Sequence, residues 1–315
     1  MSLTGPDLGL LLALHARDGI GARTLSRWLR WAVAQEQSLY ALVGRPREEL
    51  LAAFPAGLDR LVTALSNISE EELERAKQIV QRVQLAGAQF YAVTDSDYPP
   101  ALLAALDTAA PPLLVVAGDA DLLARPAGAV VGSRAPSEAG VTLAGYCARW
   151  LAEHGRVVVS GGAQGIDTAA HSAALEAGGG TIVVLPQGLL SYGASRELAG
   201  AIEEGRAALV SQCLPEAPWT VSAAVARNEI IAAFSRVVCV IEPGSPGGSA
   251  KTGQDALNQS KPVLVYEGVD ARKTGQALLQ KSARPLLGPE GRLSAEYLET
   301  VWASIGTSKR QGELL

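Results

Sequence analysis

Downstream of residue 128 the chain repeats one pattern: a short apolar run, then a longer stretch in which apolar positions recur every three or four residues. The runs are 129–131, 157–159, 181–185, 208–210, 237–241 and 263–265, mostly β-branched and apolar without alternation. A strand covered on one face alternates; a parallel strand covered on both faces does not. In the first intervening stretch Leu143, Cys147, Trp150 and Leu151 share one helical stripe, and Gly155 ends it. Strands alternating with helices predict the α/β class, as a Rossmann-like, doubly wound parallel sheet.

The N-terminal part reads differently. Residues 8–15 form an apolar run, and Asp18-Gly19-Ile20-Gly21 separates it from a second amphipathic stretch. A Gly-Ile-Gly turn between helices predicts a small helix-hairpin-helix-like (SAM-like) domain. Such turns serve phosphate-binding modules and modules that bind nothing, and both readings stand. Ser69 with Glu72 three residues on opens a helix to about residue 86. Residues 90–94 and 113–117 read as short strands, 274–281 and 294–305 as helices, and 306–312 as a disordered polar tail. The expected organisation is a helical domain over 1–86, a Rossmann-like core over 87–285, and a short helix with tail over 286–315.

Composition narrows the classes. Of 315 residues 48% are hydrophobic, enough for a large core, and 19% are charged, too few for a disordered chain. No 18-residue uncharged apolar stretch and no basic-then-apolar N-terminus occur, so neither a membrane helix nor a secretory signal is expected. Cys147, Cys213 and Cys239 lie far apart without a CxxC pair, which excludes a disulfide frame or zinc site and makes the cytoplasm the default. The net charge of −5 weighs against nucleic acid as a partner, although whole-chain charge says little about one groove. Between Arg125 and Arg236 every basic side chain is Arg, which suits phosphate and base stacking or reflects composition bias.

Ligands of open parallel sheets bind at the carboxyl ends of the strands. There the chain carries Gly132-Ser133-Arg134, then Ser160-Gly161-Gly162-Ala163 with Gly165, then Gln187-Gly188. Further on come Arg227-Asn228, expected near a helix start beside an apolar face of Val225, Ile230, Ile231 and Phe234, and Gly248-Ser249 with Lys251 and Thr252 in a first helical turn. Glycines in strand-to-helix turns free backbone amides for an oxyanion, and the helix N-terminus adds partial positive charge. Asp167 sits where an N-cap is expected and His171 where a core histidine is; both are read as structural. Several such ends on one edge suit a polyanion or nucleotide. The spacing is not GxGxxG, and no acid ends the strand at Leu185, so a dinucleotide cofactor is not expected. With His15, His154 and His171 the only histidines, and no GxSxG, HExxH or GxxxxGK[ST], binding without catalysis, cofactor or metal is the expectation.

These residues, in this order, resemble the DprA/Smf family (DNA-processing protein A). The resemblance rests on Asp97-Tyr98-Pro99 with Leu102, Val131-Gly132-Ser133-Arg134, Gly140, Ser160 to Ala163 with Gly165-Ile166-Asp167, Ala170-His171, Arg227-Asn228 with Ile230-Ile231-Ala232 and Ser235, Glu242, Gly248-Ser249 and Thr252. It implies single-stranded DNA binding at this sheet edge, a homodimer through the Rossmann domain, and delivery of DNA to a RecA-type recombinase in natural transformation, with no catalytic activity. Four departures mark a divergent member. Gln212 stands where the family usually has Glu, Glu229 where it usually has Arg, Glu267-Gly268 where it usually has Pro-Gly after the last strand, and too few residues follow 305 for its C-terminal winged helix. An alternative resemblance is to the lysine-decarboxylase-like (LOG) nucleotide hydrolases, through Pro246-Gly247-Gly248-Ser249-Ala250-Lys251-Thr252, though Gln254-Asp255 replaces the catalytic Glu. A nucleotide-sensing or partner-binding module without DNA binding is the third reading.

Overall fold

The computed structural model describes residues 3–244, 247–268 and 272–306. The chain divides into two compact units. The first comprises residues 1–117 with Gln187–Gly193 and Val210–Trp219; the second holds the remainder. The tail at 307–315 lies outside the described residues.

The first unit opens with α1 (Gly5–His15), α2 (Ala22–Ala34), α3 (Arg47–Ala53), α4 (Asp59–Ser66) and α5 (Glu70–Leu85). The expected hairpin between α1 and α2 forms, with Gly19 at φ +80° in the turn. Helices α1 and α5 each start with a capping box: Thr4 with Asp7 on α1 and Ser69 with Glu72 on α5. Glu72 also binds Arg17, and that partner holds its carboxyl down at about 2. β1 (Ala88–Ala92), α6 (Pro100–Leu106) and β2 (Leu113–Gly118) follow, with β1 antiparallel to β2. Tyr98, fully buried, donates its hydroxyl to the Pro111 carbonyl at 2.9 Å.

The second unit alternates strand and helix, as the apolar runs predict. Its elements are β3 (Ala127–Gly132), α7 (Glu138–Glu153), β4 (Val157–Ser160), α8 (Ile166–Glu176), β5 (Thr181–Leu185), α9 (Arg196–Glu203), β6 (Ala207–Ser211), α10 (Val221–Phe234), β7 (Val238–Ile241), α11 (Gly248–Asn258), β8 (Val263–Tyr266), α12 (Arg272–Leu279), β9 (Arg284–Pro285) and α13 (Ala295–Ala303). The strand order is β6-β5-β4-β3-β7-β8-β9. Pairing is parallel from β5 through β9, with Val130 beside Cys239 and Val158 beside Thr181 in register. From β3 the chain winds outward through β4 and β5, then returns to lay β7 on its other side. The topological switch point therefore falls between β3 and β7, where open α/β sheets form their binding crevice. β9 was not foreseen: two residues carry no apolar pattern to read.

The core beneath that edge packs Val130, Val158, Cys239 and Leu264 against Cys147, Trp150 and Leu151 of α7 and Leu298, Val301 and Trp302 of α13. Arg156 lies between two indole rings, 4.4 Å from the Trp150 centroid and 4.1 Å from Trp302, and binds Glu299 at 2.8 Å. Among the described residues no helix is long and apolar enough to cross a membrane.

Candidate functional site

At the switch point the backbone comes closer than side chains permit. A Cβ on Gly132 would lie 2.1 Å from the Ile241 carbonyl oxygen and 2.6 Å from Ile166 Cγ1. Only glycine lets β3, β7 and α8 converge there. A Cβ on Gly165, at φ +84°, would lie 2.4 Å from the Ser133 carbonyl oxygen. Ser133 donates its amide to Ile241 O at 3.1 Å, and its hydroxyl accepts from the Ala135 amide at 3.1 Å. Arg134 is exposed at the tip of this loop.

The β4–α8 turn does not present all its amides to solvent. The Gly161 and Ala163 amides donate to Asp167 Oδ2, at 3.1 and 3.4 Å, and the Gly132 amide also bonds this carboxylate. Asp167 is thus not the N-cap that its place suggests; Gly165 holds that position without a side chain. The carboxylate folds back and acts as the loop's internal anion. Ser160 is fully buried, and its hydroxyl donates to Val130 O at 2.7 Å, which ties β4 to β3 and removes it from any ligand. Gly162, at φ +69°, stays exposed.

Arg227 and Asn228 lie in the middle of α10, not near its start, and both are buried. Val225, expected on the apolar face, is instead exposed. The Arg227 guanidinium lies over the bare Cα of Gly161, where a Cβ would sit 1.3 Å from Nη1. Burial lowers the affinity of Arg227 for its proton, and the Asp167 carboxylate works against that effect. Burial likewise raises the Asp167 carboxyl, opposed by Arg227 and the loop amides. Each buried charge thus makes the other easier to keep, by attraction through space. His171 completes the cluster. Thr181 Oγ1 donates to Val158 O at 3.0 Å, so at 2.7 Å it accepts from His171 Nδ1–H. This fixes the tautomer and leaves Nε2 as a bare lone pair. Burial, then Arg227, pushes the His171 imidazole down to about 4. Among the described residues, His171 Nε2, Arg227 Nε and Asn228 Nδ2 are buried without a hydrogen-bond partner.

Gly161→Ala is expected to expel the Arg227 guanidinium and destabilise the fold by about 1–3 kcal/mol, the usual cost of overpacking. Equilibrium urea unfolding checks this, and an unchanged midpoint would mean that the guanidinium is not held on Gly161.

Gly248 opens α11 and is exposed; a Cβ there would stand 3.4 Å from Asn228 Nδ2. Ser249 is half-buried in the same turn. Lys251 and Thr252 fall past the first three positions. Lys251 pairs with Asp255 one turn on, and Thr252, buried, donates to Gly248 O at 3.2 Å. Gln187 and Gly188 belong to the first unit. Gln187 donates to the Ser191 carbonyl, and Gly188 donates to Ala217 O at 2.8 Å. The second unit thus gathers Gly132, Arg134, Gly161, Gly162, Asp167, His171, Arg227, Asn228 and Gly248 at one strand-end cluster. The partnership of Asp167 with Arg227 has no local pattern, since it joins an α8 residue to an α10 residue.

The family model described as DNA recombination-mediator protein A matches residues 89–295. Protein Smf of Escherichia coli (strain K12) is 38% identical over 173 residues, covering 54% of this chain and 46% of that protein. DNA processing protein DprA of Streptococcus pneumoniae is 37% identical over 199 residues, covering 62% of this chain and 69% of that protein. The X-ray structure of DNA processing protein A from Streptococcus pneumoniae aligns with a TM-score of 0.71 at 25% identity, covering 92% of this chain and 97% of that one. DNA processing protein A from Helicobacter pylori, studied for its unique single-stranded DNA binding mode, aligns with a TM-score of 0.55 at 25% identity over 69% of this chain and 97% of that one. This chain spans less than half the length of Protein Smf.

Proposed function

The chain belongs to the DNA recombination-mediator protein A family, and on that premise we propose that the β3–β7 switch point binds single-stranded DNA without turning it over. One observation carries the reading. Arg134 stands close enough to buried Arg227 for their charges to repel, while Asp167 supplies the countercharge for Arg227. The cluster thus holds two guanidiniums beside one carboxylate and has a surplus cation at its exposed rim. A phosphate oxygen supplies the missing anion, and a guanidinium fork is the group that receives it. Exposed glycine backbone at Gly162 and Gly248 gives a sugar-phosphate chain room to approach. The Helicobacter pylori relative's single-stranded DNA binding supports the same ligand.

Glu229 does not oppose this. Residues two apart on a helix lie on opposite sides, so with Arg227 turned inward Glu229 is exposed on the far side. In the same reading the protein acts in the cytoplasm, pairs with a second copy through its sheet domain, and passes the strand to a RecA-type recombinase during natural transformation.

Fluorescence anisotropy with an oligo-dT strand over a salt series tests the proposal. Arg134→Ala should weaken binding about tenfold, the scale of one charge-assisted hydrogen bond. It should also flatten the plot of log affinity against log salt by about 0.7, the slope of one contact to a single strand. No binding at low salt refutes the proposal.

A further inference from the structure

Arg134 rides on a loop fixed at both ends to the end of β7. At its start, Ser133 donates to Ile241 O and accepts from the Ile166 amide, each at 3.1 Å. At its finish, Ser137 donates its amide to Glu242 Oε2 at 2.8 Å and its hydroxyl to Glu242 Oε1. Ser137 is also the N-cap of α7, its hydroxyl oxygen accepting from the Gly140 amide at 3.1 Å.

Glu242 is unusual in three independent ways. It is a non-glycine residue at φ +49°, a conformation that L side chains avoid and that surrounding contacts must impose. Its carboxylate is buried, and among the described residues no cation pairs with it; its partners are Ser137's amide and hydroxyl. Glycines make room for it on two sides: a Cβ on Gly140 would lie 2.9 Å from Glu242 Cδ, and one on Gly268 2.6 Å from Cγ. A side chain serving only to cap α7 does not require that setting, since Ser137 already caps the helix.

We propose that Glu242 is the positioning residue of the site, holding Ser137 so that the 133–137 loop presents Arg134 to the ligand. Its strained backbone turns the carboxylate back from β7 onto the loop, and Gly140 and Gly268 keep that path open. The inference rests on the reading of Arg134 as a phosphate contact.

The test is oligo-dT anisotropy over a salt series on the wild-type protein, Arg134→Ala, Glu242→Gln, Glu242→Gly and the double variant Arg134→Ala/Glu242→Gln. Glu242→Gln keeps the shape but leaves one Ser137 donor facing an amide NH₂. Glu242→Gly accepts the positive φ without strain and so separates lost positioning from lost folding. Both Glu242 variants should lose about tenfold in affinity and the same slope of about 0.7 as Arg134→Ala, with nothing further lost in the double variant. Wild-type affinity and slope in both variants, or additive losses in the double, overturn the inference and leave Glu242 a helix cap. Absence of binding by the wild-type protein refutes the DNA reading instead. In that event, amide hydrogen exchange over 133–137 decides whether Glu242 fixes the loop: faster exchange in Glu242→Gly supports it, unchanged exchange overturns it.

Discussion

Replacing Arg227 with Met is expected to cost the protein about 1–3 kcal/mol, the scale seen when a buried polar group loses its support. The cause is not a lost contact with ligand. Asp167 would remain fully enclosed, with the Gly132, Gly161 and Ala163 amides as its support but without the buried guanidinium that now steadies its charge. The double variant Arg227→Met/Asp167→Asn should recover much of the loss, because a neutral amide no longer needs that balance. The deficit of the single variant should also shrink on acidification, as a protonated Asp167 carries no charge to compensate. Urea unfolding of the three proteins at two pH values checks all of this. A double variant as unstable as the single one would show that Arg227 acts by packing over Gly161 and not by charge.

Acid should unfold the protein through His171. Its imidazole is held down at about 4, against 6.5 for the free side chain. Between these values the unfolded chain binds a proton that the folded chain refuses, so stability falls as pH drops from 6.5 towards 4 and levels off below. At 1.36 kcal/mol for each unit the loss is about 3 kcal/mol. His171→Gln, which can still donate to Thr181 Oγ1, should flatten the profile over that window. If both proteins lose stability in parallel between pH 6.5 and 4, the proton is being taken up elsewhere.

The sheet was legible from the chain because a strand buried on both faces must be apolar throughout. Thr181–Leu185 and Val263–Tyr266 announce themselves in this way. β9 does not, since its pairing depends on β8 and not on its own two residues. Glycine-rich turns also marked the right edge of the sheet, yet their chemistry was half hidden. The amides of Gly161 and Ala163 point at Asp167, the hydroxyl of Ser160 at β3, and Lys251 at Asp255. Each answer depends on which distant or neighbouring group gets there first, and spacing alone does not rank the competitors. The same holds for Glu242, whose identity was noted but whose positive φ and grip on Ser137 exist only in three dimensions.

The stacked arginine between Trp150 and Trp302 has an optical consequence. The two indoles meet nearly edge to face, 75° apart with centroids at 6.1 Å, and share one guanidinium. They are two of five tryptophans, and one of them is carried by α13. Chromophores so close and so inclined couple their transitions, so near-ultraviolet circular dichroism should carry a signature of this pair. The signature vanishes when α13 lifts away while the parallel sheet stays folded. The protein thus contains its own spectroscopic gauge of whether the last helix is seated, readable without label or ligand.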